Sequence, residues 1–403
     1  MAAKMKGPLA GLKVIELCHV MAGPVCGLML ADMGADVIKV EKIPGGDDTR
    51  RTVPPKIGDE AASFMMMNRN KRGIAVDLKT EDGKKVLHRL LKDADVVTEN
   101  YSRGVMERMG LGYETLKEMN PRLIYCAISG FGRSGPYADR GGFDLIAQGM
   151  SGLMSITGEG PGRPPVKVGA PITDITAGIL GAMGILAALH ARTQTGKGQM
   201  VDTSLFEAGI VHTFWQSAIA LATGVAPGPL GSAHPLNAPY EAFATKDGWI
   251  NLGAANQATW LRTIELLGRR DLGDDSRFKE ASGRLVNRAA LADALAQEFN
   301  KRTSAEWLAA LEQAKVPAGP VFDVLQMHID PQTLAREMVV EVDHTTVGRI
   351  KTLGAPVKFS ATPGGVHRSA PIFGEHTEEV LREYGYSADE IDNMAASGAL
   401  RRS

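Results

Sequence analysis

The sequence predicts an α/β protein built on a parallel, doubly wound sheet, followed by a smaller α+β region. A strand–helix–strand pattern opens the chain, and strands and helices then alternate as far as residue 203. A stretch rich in Gly and Pro interrupts the pattern at residues 224–239. Strands that alternate with helices favour parallel pairing, and a Gly- and Pro-rich stretch is typical of a linker or a functional loop.

The first strand–helix–strand unit covers residues 12–41. Residues 12–18 (LKVIELC) have the pattern of a buried strand, Gly23 and Pro24 open a helix that continues to Met33, and residues 35–41 form the next strand. The turn between strand and helix, HVMAGP at residues 19–24, lacks the GxGxxG spacing of dinucleotide-binding proteins. The unit therefore predicts a Rossmann-like shape without predicting a dinucleotide ligand.

Four further strands are predicted at residues 74–78, 96–100, 123–129 and 200–203. Thr80 caps a helix whose first turn is acidic, and other helices surround Val105 and Leu116 and cover residues 205–223. Ligands of such sheets bind beyond the carboxyl ends of the strands. The turns expected there are residues 19–24, 42–46, 100–104 and 130–135.

A long apolar stretch, residues 175–191, follows Asp174 and predicts a buried helix. Asp174 is expected at the N-cap, where free N–H groups and the helix dipole favour an ionised carboxylate. Small residues at helical spacing would let another backbone approach closely, and these are Ala177, Gly181, Gly184 and Ala188. The glycines and the flanking charges favour a packed core helix over a membrane span. From these residues alone, an ordinary capping role for Asp174 stays open.

The second half of the chain predicts a smaller α+β unit at residues 240–316. It has a hairpin at residues 241–253, with Asp247-Gly248 as the turn, and helices near residues 260–267, 287–299 and 304–314. A second hairpin is expected at residues 339–357. Two short helices end the chain, and Ser387 and Glu390 form a capping box for the last of them.

Charge and cysteine content narrow the function classes. The chain has 45 Lys and Arg against 46 Asp and Glu, so no overall charge attracts it to nucleic acid or to a membrane. Its three cysteines, Cys18, Cys26 and Cys126, form no CxxC pair and predict reduced thiols in the cytoplasm. Residues 1–11 lack an apolar core, so no secretory signal is expected.

Motifs for metal, nucleotide and serine-hydrolase chemistry are missing from the sequence. There is no HExxH, no pair of histidines three or four residues apart, no Walker A motif and no GxSxG. Basic residues are instead concentrated in the first third and suggest a phosphate site. Their acidic neighbours leave a solvated surface as an equal alternative. These basic residues are Lys42, Arg50, Arg51, Arg69, Lys71, Arg72, Lys79 and Arg108.

Asp144 and Asp174 are the candidate catalytic carboxylates. A carboxylate nucleophile must be ionised, held in one rotamer and shielded from water after it is acylated. An N-cap position would satisfy the first two requirements for Asp174. A glycine-containing loop near Gly45, Gly130 or Gly231 could provide the shielding as a lid.

Short motifs along nearly the whole chain form an ordered set. In sequence they are GLKVIEL, HVMAGP, ADVIKVEK, GDDTR, NRNKRGIAVDL, ENY, MGLGYE, NPRLIYCAISGFGRSGP, GGFDLIAQGMSGLM, ITDITAG and TGKGQMVD. Each motif is weak alone. Together they resemble the family III CoA-transferases, also called the CaiB–BaiF family.

This resemblance implies an architecture and a set of partners. It implies a Rossmann-like large domain at residues 1–223, a linker and small α+β domain at residues 224–330, and a C-terminal segment at residues 331–403 that returns to the large domain. It also implies an interlocked homodimer. The small-molecule partners would be an acyl-CoA and a free carboxylic acid, with no permanently bound cofactor and no nucleic-acid or membrane partner.

The resemblance also assigns site residues. Asp174 matches the family's catalytic nucleophile, and Asp144 matches an acidic position near the active site. The positions implied for CoA binding are His19, Met21, Ala22, Lys42, Val76, Asp77, Leu78, Lys79, Asn100, Tyr101, Ser102 and Arg108. Some members have Arg where this chain has Lys42, and Lys cannot make the bidentate phosphate contact that Arg makes.

The implied reaction transfers CoA through a covalent enzyme, with succinyl-CoA as the expected donor. Asp174 attacks the thioester of the donor to give a mixed anhydride, and the CoA thiolate converts this to an aspartyl-CoA thioester. The acceptor carboxylate attacks in turn, and the steps reverse to release a new acyl-CoA. Remote contacts to CoA position the reacting carbonyl.

Two alternative functions are consistent with the same resemblance. The 2-methylacyl-CoA racemases of the same fold place a His in the segment that matches residues 142–146, where this chain has Phe143, which cannot move a proton. A non-catalytic CoA-binding protein is the other alternative, and the presence of Asp174 argues against it.

The acceptor is expected to be a dicarboxylic acid of the glutarate type. GSAHP at residues 231–235, PYEAF at residues 239–243 and residues 251–257 resemble members that use succinyl-CoA with dicarboxylic acids. His234 is the candidate for binding the distal carboxylate, and a solvent-exposed loop histidine is the alternative. An aliphatic pocket formed by Met150, Leu153 and Met154 would instead favour an apolar acid.

Overall fold

The computed structural model describes residues 7–403, which form two compact units. The first unit contains the chain up to residue 153, residues 168–212 and residues 331–403; the second contains residues 154–167 and 213–330. The chain thus visits the second unit briefly at residues 154–167 and enters it again after residue 212, whereas the sequence placed a single boundary after residue 223. Residues 1–6, part of the stretch in which no secretory signal is expected, lie outside the described residues.

Strands and helices alternate in the first 212 residues. In chain order they are β1 (Lys13–Leu17), α1 (Ala22–Asp32), β2 (Asp36–Glu41), β3 (Lys56–Ile57), β4 (Glu60–Ala61), α2 (Ala62–Met67), β5 (Arg72–Val76), α3 (Glu81–Lys92), β6 (Val96–Glu99), α4 (Val105–Arg108), α5 (Tyr113–Met119), β7 (Ile124–Ser129), α6 (Asp144–Met150), α7 (Leu153–Ile156), α8 (Ile172–Thr195), β8 (Met200–Ser204) and α9 (Leu205–Val211). The strands predicted in this region all exist, and their ends lie within two residues of the predicted ones.

The remaining elements follow in the same order. Residues 213–330 contain α10 (Phe214–Thr223), β9 (Tyr240–Ala244), β10 (Trp249–Gly253), α11 (Gln257–Leu266), α12 (Arg270–Asp274), α13 (Ala281–Val286), α14 (Arg288–Phe299), α15 (Ser304–Gln313), β11 (Ala318–Pro320) and α16 (Val324–Ile329). Residues 331–403 contain α17 (Pro331–Ala335), β12 (Val339–His344), β13 (Gly348–Leu353), α18 (Thr377–Glu383), α19 (Ala388–Ala396) and β14 (Leu400–Arg401).

One seven-stranded sheet forms the centre of the first unit, in the order β14-β5-β2-β1-β6-β7-β8. All neighbouring pairs are parallel except β14 and β5, which confirms the predicted α/β class with its parallel sheet. The register places Val14 of β1 opposite Val37 and Val96. The chain moves from β1 to β5 in one direction and from β6 to β8 in the other. The strand order therefore reverses between β1 and β6, where such sheets bind ligands.

Helices cover both faces of this sheet because its strands are apolar on both sides. Helices α1 and α8 pack on one face, where Cys26 and Ile185 join the core, and α3, α18 and α19 pack on the other. By length and composition α8 could cross a membrane. In this structure one face of α8 packs against α1, β7, β8 and α9, whereas Ile179 and Met183 on its other face are exposed, so the predicted buried helix is buried only in part.

The second unit contains the three-stranded antiparallel sheet β11-β10-β9, and its core includes Phe243, Trp260 and Phe299. The hairpin of β9 and β10 matches the predicted one. The helix expected over residues 205–223 is instead two helices, α9 and α10, which belong to different units. Periodicity did not reveal this break, because both helices have similar apolar spacing and neither Gly nor Pro separates them.

The last 73 residues belong to the first unit and complete its sheet. Strand β14 pairs with β5, and the backbone N–H of Asp77 donates to the carbonyl of Ala399 at 2.9 Å. Helix α19 begins with the predicted capping box of Ser387 and Glu390. The C-terminal segment therefore borders the turn after β5.

Candidate active site at the carboxyl edge of the sheet

The turn after β1 is held through its backbone by side chains from two neighbouring strand ends. Asn100, directly after β6, accepts from the N–H of His19 at 3.0 Å and donates to the carbonyl of His19 at 2.8 Å. Asp47, in the loop after β2, accepts from the N–H of Val20 at 3.0 Å. This turn lies where the strand order reverses, so its conformation is fixed at the expected ligand crevice.

Four of the predicted CoA-binding side chains meet beside this turn. The rings of His19 and Tyr101 are 5.6 Å apart between centroids, and Asn100 adjoins both. Lys42 Nζ lies 2.9 Å from one carboxylate oxygen of Asp48, and His19 Nδ1 lies 3.6 Å from the other. A cavity of about 40 Å³ opens here, and its lining includes Cys18, His19, Lys42 and Tyr101. Sequence reasoning did not single out Asp47 or Asp48.

The other predicted CoA positions follow the same edge. Met21 is the N-cap of α1 and Ala22 its first residue. Val76 ends β5, and Asp77, Leu78 and Lys79 form the next turn, in which Asp77 Oδ1 accepts from the N–H of Lys79 at 3.0 Å. Ser102 and Arg108 are exposed after β6, and Arg108 is the last residue of α4. All the positions assigned to CoA therefore lie in segments at or after the ends of β1, β2, β5 and β6.

Several basic residues suggested for phosphate binding are paired within the protein instead. These pairs are Arg50 with Glu41, Arg69 with Asp32, Lys71 with Glu16 and Arg72 with Asp36. Because their charges are already compensated in buried or half-buried positions, the phosphate interpretation is wrong for these four. Lys79 and Arg108 are exposed and available to an anionic ligand, and the exposed Lys42 and Arg51 both pair with Asp48.

Asp174 lies in the first turn of α8 and not at its N-cap, so the predicted capping position is wrong. The helix begins at Ile172 after Pro171, which makes Asp174 its third residue. Within residues 7–403, no group donates a hydrogen bond to its carboxylate and no cation pairs with it. A carboxylate without partners keeps its lone pairs free for nucleophilic attack.

Asp144 provides the capping interaction that the sequence assigned to Asp174. Its Oδ1 accepts from the N–H of Thr173 at 3.0 Å and from Thr173 Oγ1 at 2.8 Å. Its Oδ2 accepts from Gln148 Nε2 at 2.8 Å, and Gln148 Oε1 accepts from the N–H of Val168 at 2.8 Å. Asp144 therefore positions the turn that contains Asp174. Helical spacing predicts the pair of Asp144 and Gln148 but not the contact of Asp144 with Thr173.

Burial, with a further contribution from the charge of Asp144, raises the pKa of Asp174 to about 6. This direction is opposite to the effect expected from the helix dipole, because loss of hydration outweighs the dipole at this site. Asp174 is therefore ionised at neutral pH, but its anion is less stabilised than that of an exposed aspartate.

Close packing brings the second turn of α8 next to the N-terminus of α1. A Cβ atom on Gly178 would lie 2.6 Å from the carbonyl oxygen of Ala22, so only glycine permits this approach. Gly178 follows Asp174 by four residues, which correspond to about 6 Å along a helix. The turn of α8 that follows Asp174 thus packs on the start of α1, next to Ala22 of the predicted CoA-binding turn.

His234 lies in the second unit, in the turn before β9. Its Nδ1 accepts from the N–H of Leu236 at 3.1 Å and faces Asn237 Nδ2 at 3.2 Å. The rings of Trp215 and Tyr240 lie 5.5 and 5.3 Å from its ring. Because Nδ1 accepts, the neutral imidazole carries its proton on Nε2, which can donate to a carboxylate.

The cysteines are free and buried, which argues against nucleophilic thiol chemistry. Burial raises the pKa of Cys18, and contact with Cys126 together with burial raises that of Cys26. Across residues 7–403, no group of three or more His, Cys, Asp or Glu side chains is placed to hold a metal ion.

Comparison with known proteins identifies the family. The sequence profile of CoA-transferase family III matches residues 9–377. The chain belongs to CoA-transferase family III. This membership confirms the resemblance found from the ordered motifs, and it makes the protein an enzyme of the CoA-transferase type.

Similar proteins agree with this assignment. The chain is 42% identical over 387 residues to a succinate–glutarate CoA-transferase of Agrobacterium fabrum. This alignment covers 94% of this chain and 96% of that protein. It is 39% identical over 386 residues to an acetyl-CoA:oxalate CoA-transferase of Acetobacter aceti, covering 95% and 97%. A solved CAIB/BAIF family protein from Brucella suis has a TM-score of 0.83 at 41% identity, covering 94% of this chain and 100% of that chain.

Proposed function

We propose that this family III enzyme moves CoA from succinyl-CoA to a dicarboxylic acid through an aspartyl-CoA thioester on Asp174. The observation that supports this most is the state of Asp174. Its carboxylate is partly buried and has no hydrogen-bond or ion-pair partner among the described residues, and the next turn of its helix packs on Ala22 of the turn assigned to CoA. Asp144 holds the helical turn that contains it.

The reaction needs only nucleophilic displacements at carbonyl carbons. A carboxylate oxygen of Asp174 attacks the thioester carbon, the carbon–sulfur bond breaks, and CoA leaves as the thiolate. The thiolate attacks the aspartyl carbonyl of the mixed anhydride and releases succinate. The acceptor carboxylate then displaces the thiolate from the aspartyl thioester, and the thiolate attacks the new acyl carbonyl, which frees Asp174. No proton is transferred in any step, which suits a positioning role for Asp144.

The segments at the sheet edge support CoA binding by their chemistry. Free N–H groups at the start of α1 and the exposed cations Lys42, Lys79 and Arg108 are suited to the phosphates of CoA. Lys42 is paired with Asp48 in this structure. We expect a phosphate of CoA to replace Asp48 as the partner of Lys42.

Glutarate is expected to be used far better than butyrate as acceptor. His234 offers an Nε2–H donor to a distal carboxylate, and a site built to hydrogen-bond a substrate group rejects an analogue that lacks it by about 100-fold or more. The measurement is kcat/KM for glutarate and for butyrate with succinyl-CoA as donor. In the His234→Ala variant, the value for glutarate should fall and that for butyrate should not. A preference of the wild type for butyrate would contradict the dicarboxylate proposal.

The protein is also expected to be a homodimer. Apolar side chains are exposed on α6, α8 and α9 of the first unit, among them Leu145, Ile146, Ile179, Met183 and Ile210. Such surfaces favour a protein partner over water. Light scattering coupled to size exclusion should give twice the 43.0 kDa of one chain, and a mass of one chain at micromolar concentration would contradict the dimer.

The cytoplasmic location stays a prediction from the cysteine content.

A further inference from the structure

Val20, in the turn after β1, adopts an unusual backbone conformation. Its φ is +67°, in the left-handed region that β-branched residues rarely enter. Its side chain is 42% exposed, so packing of that side chain does not impose the conformation. A residue remains in this region only when surrounding contacts hold it there, and such residues concentrate at ligand-binding sites.

The contact that holds Val20 comes from Asp47. Asp47 Oδ1 accepts from the N–H of Val20 at 3.0 Å, from the N–H of Thr49 at 2.9 Å and from Thr49 Oγ1 at 2.7 Å. Asn100 holds the preceding residue, His19, through both its N–H and its carbonyl. Three successive backbone groups are thus fixed, and Asp47 provides the last of these contacts.

Asp47 is in turn held by a fully buried lysine. Lys39 Nζ lies 2.8 Å from Asp47 Oδ2, 3.0 Å from Glu16 Oε1 and 2.8 Å from the carbonyl of Cys18, and the three charged side chains are inaccessible to solvent. Burial alone would raise the pKa of Asp47, but Lys39 and the hydrogen bonds from Thr49 bring it below its usual range. Because its carboxylate is ionised, Asp47 makes stronger hydrogen bonds to backbone N–H groups than a neutral acceptor would.

We infer that Asp47, paired with Lys39, holds Val20 in the left-handed conformation and thereby positions the turn formed by His19, Val20, Met21 and Ala22 to receive CoA. This inference rests on the proposed function, in which that turn contacts CoA. Asp47 is a positioning residue, since it acts on CoA only through the backbone of Val20.

The test uses Asp47→Ala with and without Val20→Gly. Loss of a charge-assisted hydrogen bond is expected to weaken CoA binding about 10- to 100-fold and to raise the KM for succinyl-CoA equally. The kcat should change by less than about threefold, because the turn contacts CoA equally in the ground and transition states. Glycine adopts a positive φ without strain, so Val20→Gly in the Asp47→Ala background should restore most of the affinity. A merely structural role for Asp47 would not produce this rescue.

Asp32→Asn is the matched control, because Asp32 is also buried in the first unit and also pairs with a buried base, Arg69. We expect this variant to lower thermal stability without changing the CoA dissociation constant, measured by titration calorimetry. If Asp47→Ala is insoluble, Asp47→Asn keeps an oxygen for Val20 but loses the charge, and a several-fold weaker affinity is expected.

The outcomes separate this inference from the proposed function. If the wild-type enzyme fails to bind CoA, the proposed function is wrong. If the wild type binds CoA and Asp47→Ala binds it equally well, the positioning role is wrong. Failure of Val20→Gly to restore affinity in a folded Asp47→Ala enzyme would also overturn it, because Asp47 would then act by some route other than the backbone of Val20.

Discussion

Replacing Asp174 with alanine is expected to abolish CoA transfer and to leave the fold intact. The proposed reaction forms its covalent intermediate on this carboxylate, and loss of a covalent nucleophile lowers turnover by at least about 10⁴-fold. The side chain has no hydrogen-bond or ion-pair partner among residues 7–403, so its removal leaves no donor unpaired. The measurement is the steady-state rate of CoA transfer, together with circular dichroism and CoA affinity of the same preparation.

Asp174→Asn is the stricter control for this variant. Asparagine keeps the size and shape of the side chain but has no anionic oxygen, so a similar loss of turnover is expected. If either variant binds CoA normally and retains more than about 1% of the wild-type rate, Asp174 is not the covalent nucleophile.

A large loss of turnover is also expected for Asp144→Ala. This substitution removes the acceptor for the N–H and Oγ1 of Thr173 and for the amide of Gln148. Each buried donor left unpaired costs about 1–3 kcal/mol, and the first turn of α8 loses the contact that fixes it. We expect kcat to fall about 10- to 100-fold, because a misplaced nucleophile reacts more slowly. The measurement is kcat and the melting temperature of the same variant.

The pH profile separates the charge of Asp144 from its positioning role. Asp174 must be ionised to attack, so the wild-type kcat should fall as the pH drops through about 6. Burial is the larger cause of this raised pKa and remains in the variant, whereas the repulsion from Asp144 is lost. In the pH profile of Asp144→Ala, the fall of kcat on the acid side (the acid limb) should therefore move to lower pH. It should stay above the pH at which an exposed aspartate is protonated.

A helix cap elsewhere in the same unit gives the matched control for Asp144. Ser387 caps α19, and its Oγ accepts from the N–H of Glu390 at 3.2 Å. Ser387→Ala should cost about 1 kcal/mol of stability and should leave both kcat and the acid limb unchanged. An acid limb at the same pH in wild type and Asp144→Ala would show that Asp144 does not influence the ionisation of Asp174.

Most of the fold was predictable because it depends on local signals. Apolar runs bounded by turn residues located the strands of the large sheet, and the capping residues Thr80 and Ser387 marked true helix starts. The start of α8 was predicted incorrectly because Asp174 is a good N-cap residue by local preference. Asp144 provides the capping contact instead, 29 residues earlier in the chain, and no local pattern signals such a contact.

The candidate site was also predictable only where it depends on local sequence. The ordered motifs led to the proposal of Asp174 and of the turns assigned to CoA, because this proposal depends on residue type at given positions. The roles of the buried charges were not predictable, since their partners are distant in sequence. Val20 meets Asp47 from 27 residues away, and Arg69 meets Asp32 from 37 residues away. Only the three-dimensional structure separates a cation that is already paired from one that is free to bind a ligand.

Intact-protein mass spectrometry after mixing with succinyl-CoA tests the covalent role of Asp174 most directly. The wild type and Asp174→Ala are compared before and after treatment with hydroxylamine, which cleaves thioesters and anhydrides. We predict a mass increase that matches bound CoA on the wild type alone, and its loss on treatment. An adduct of the same mass on Asp174→Ala, or a wild type that transfers CoA without any adduct, would contradict the account.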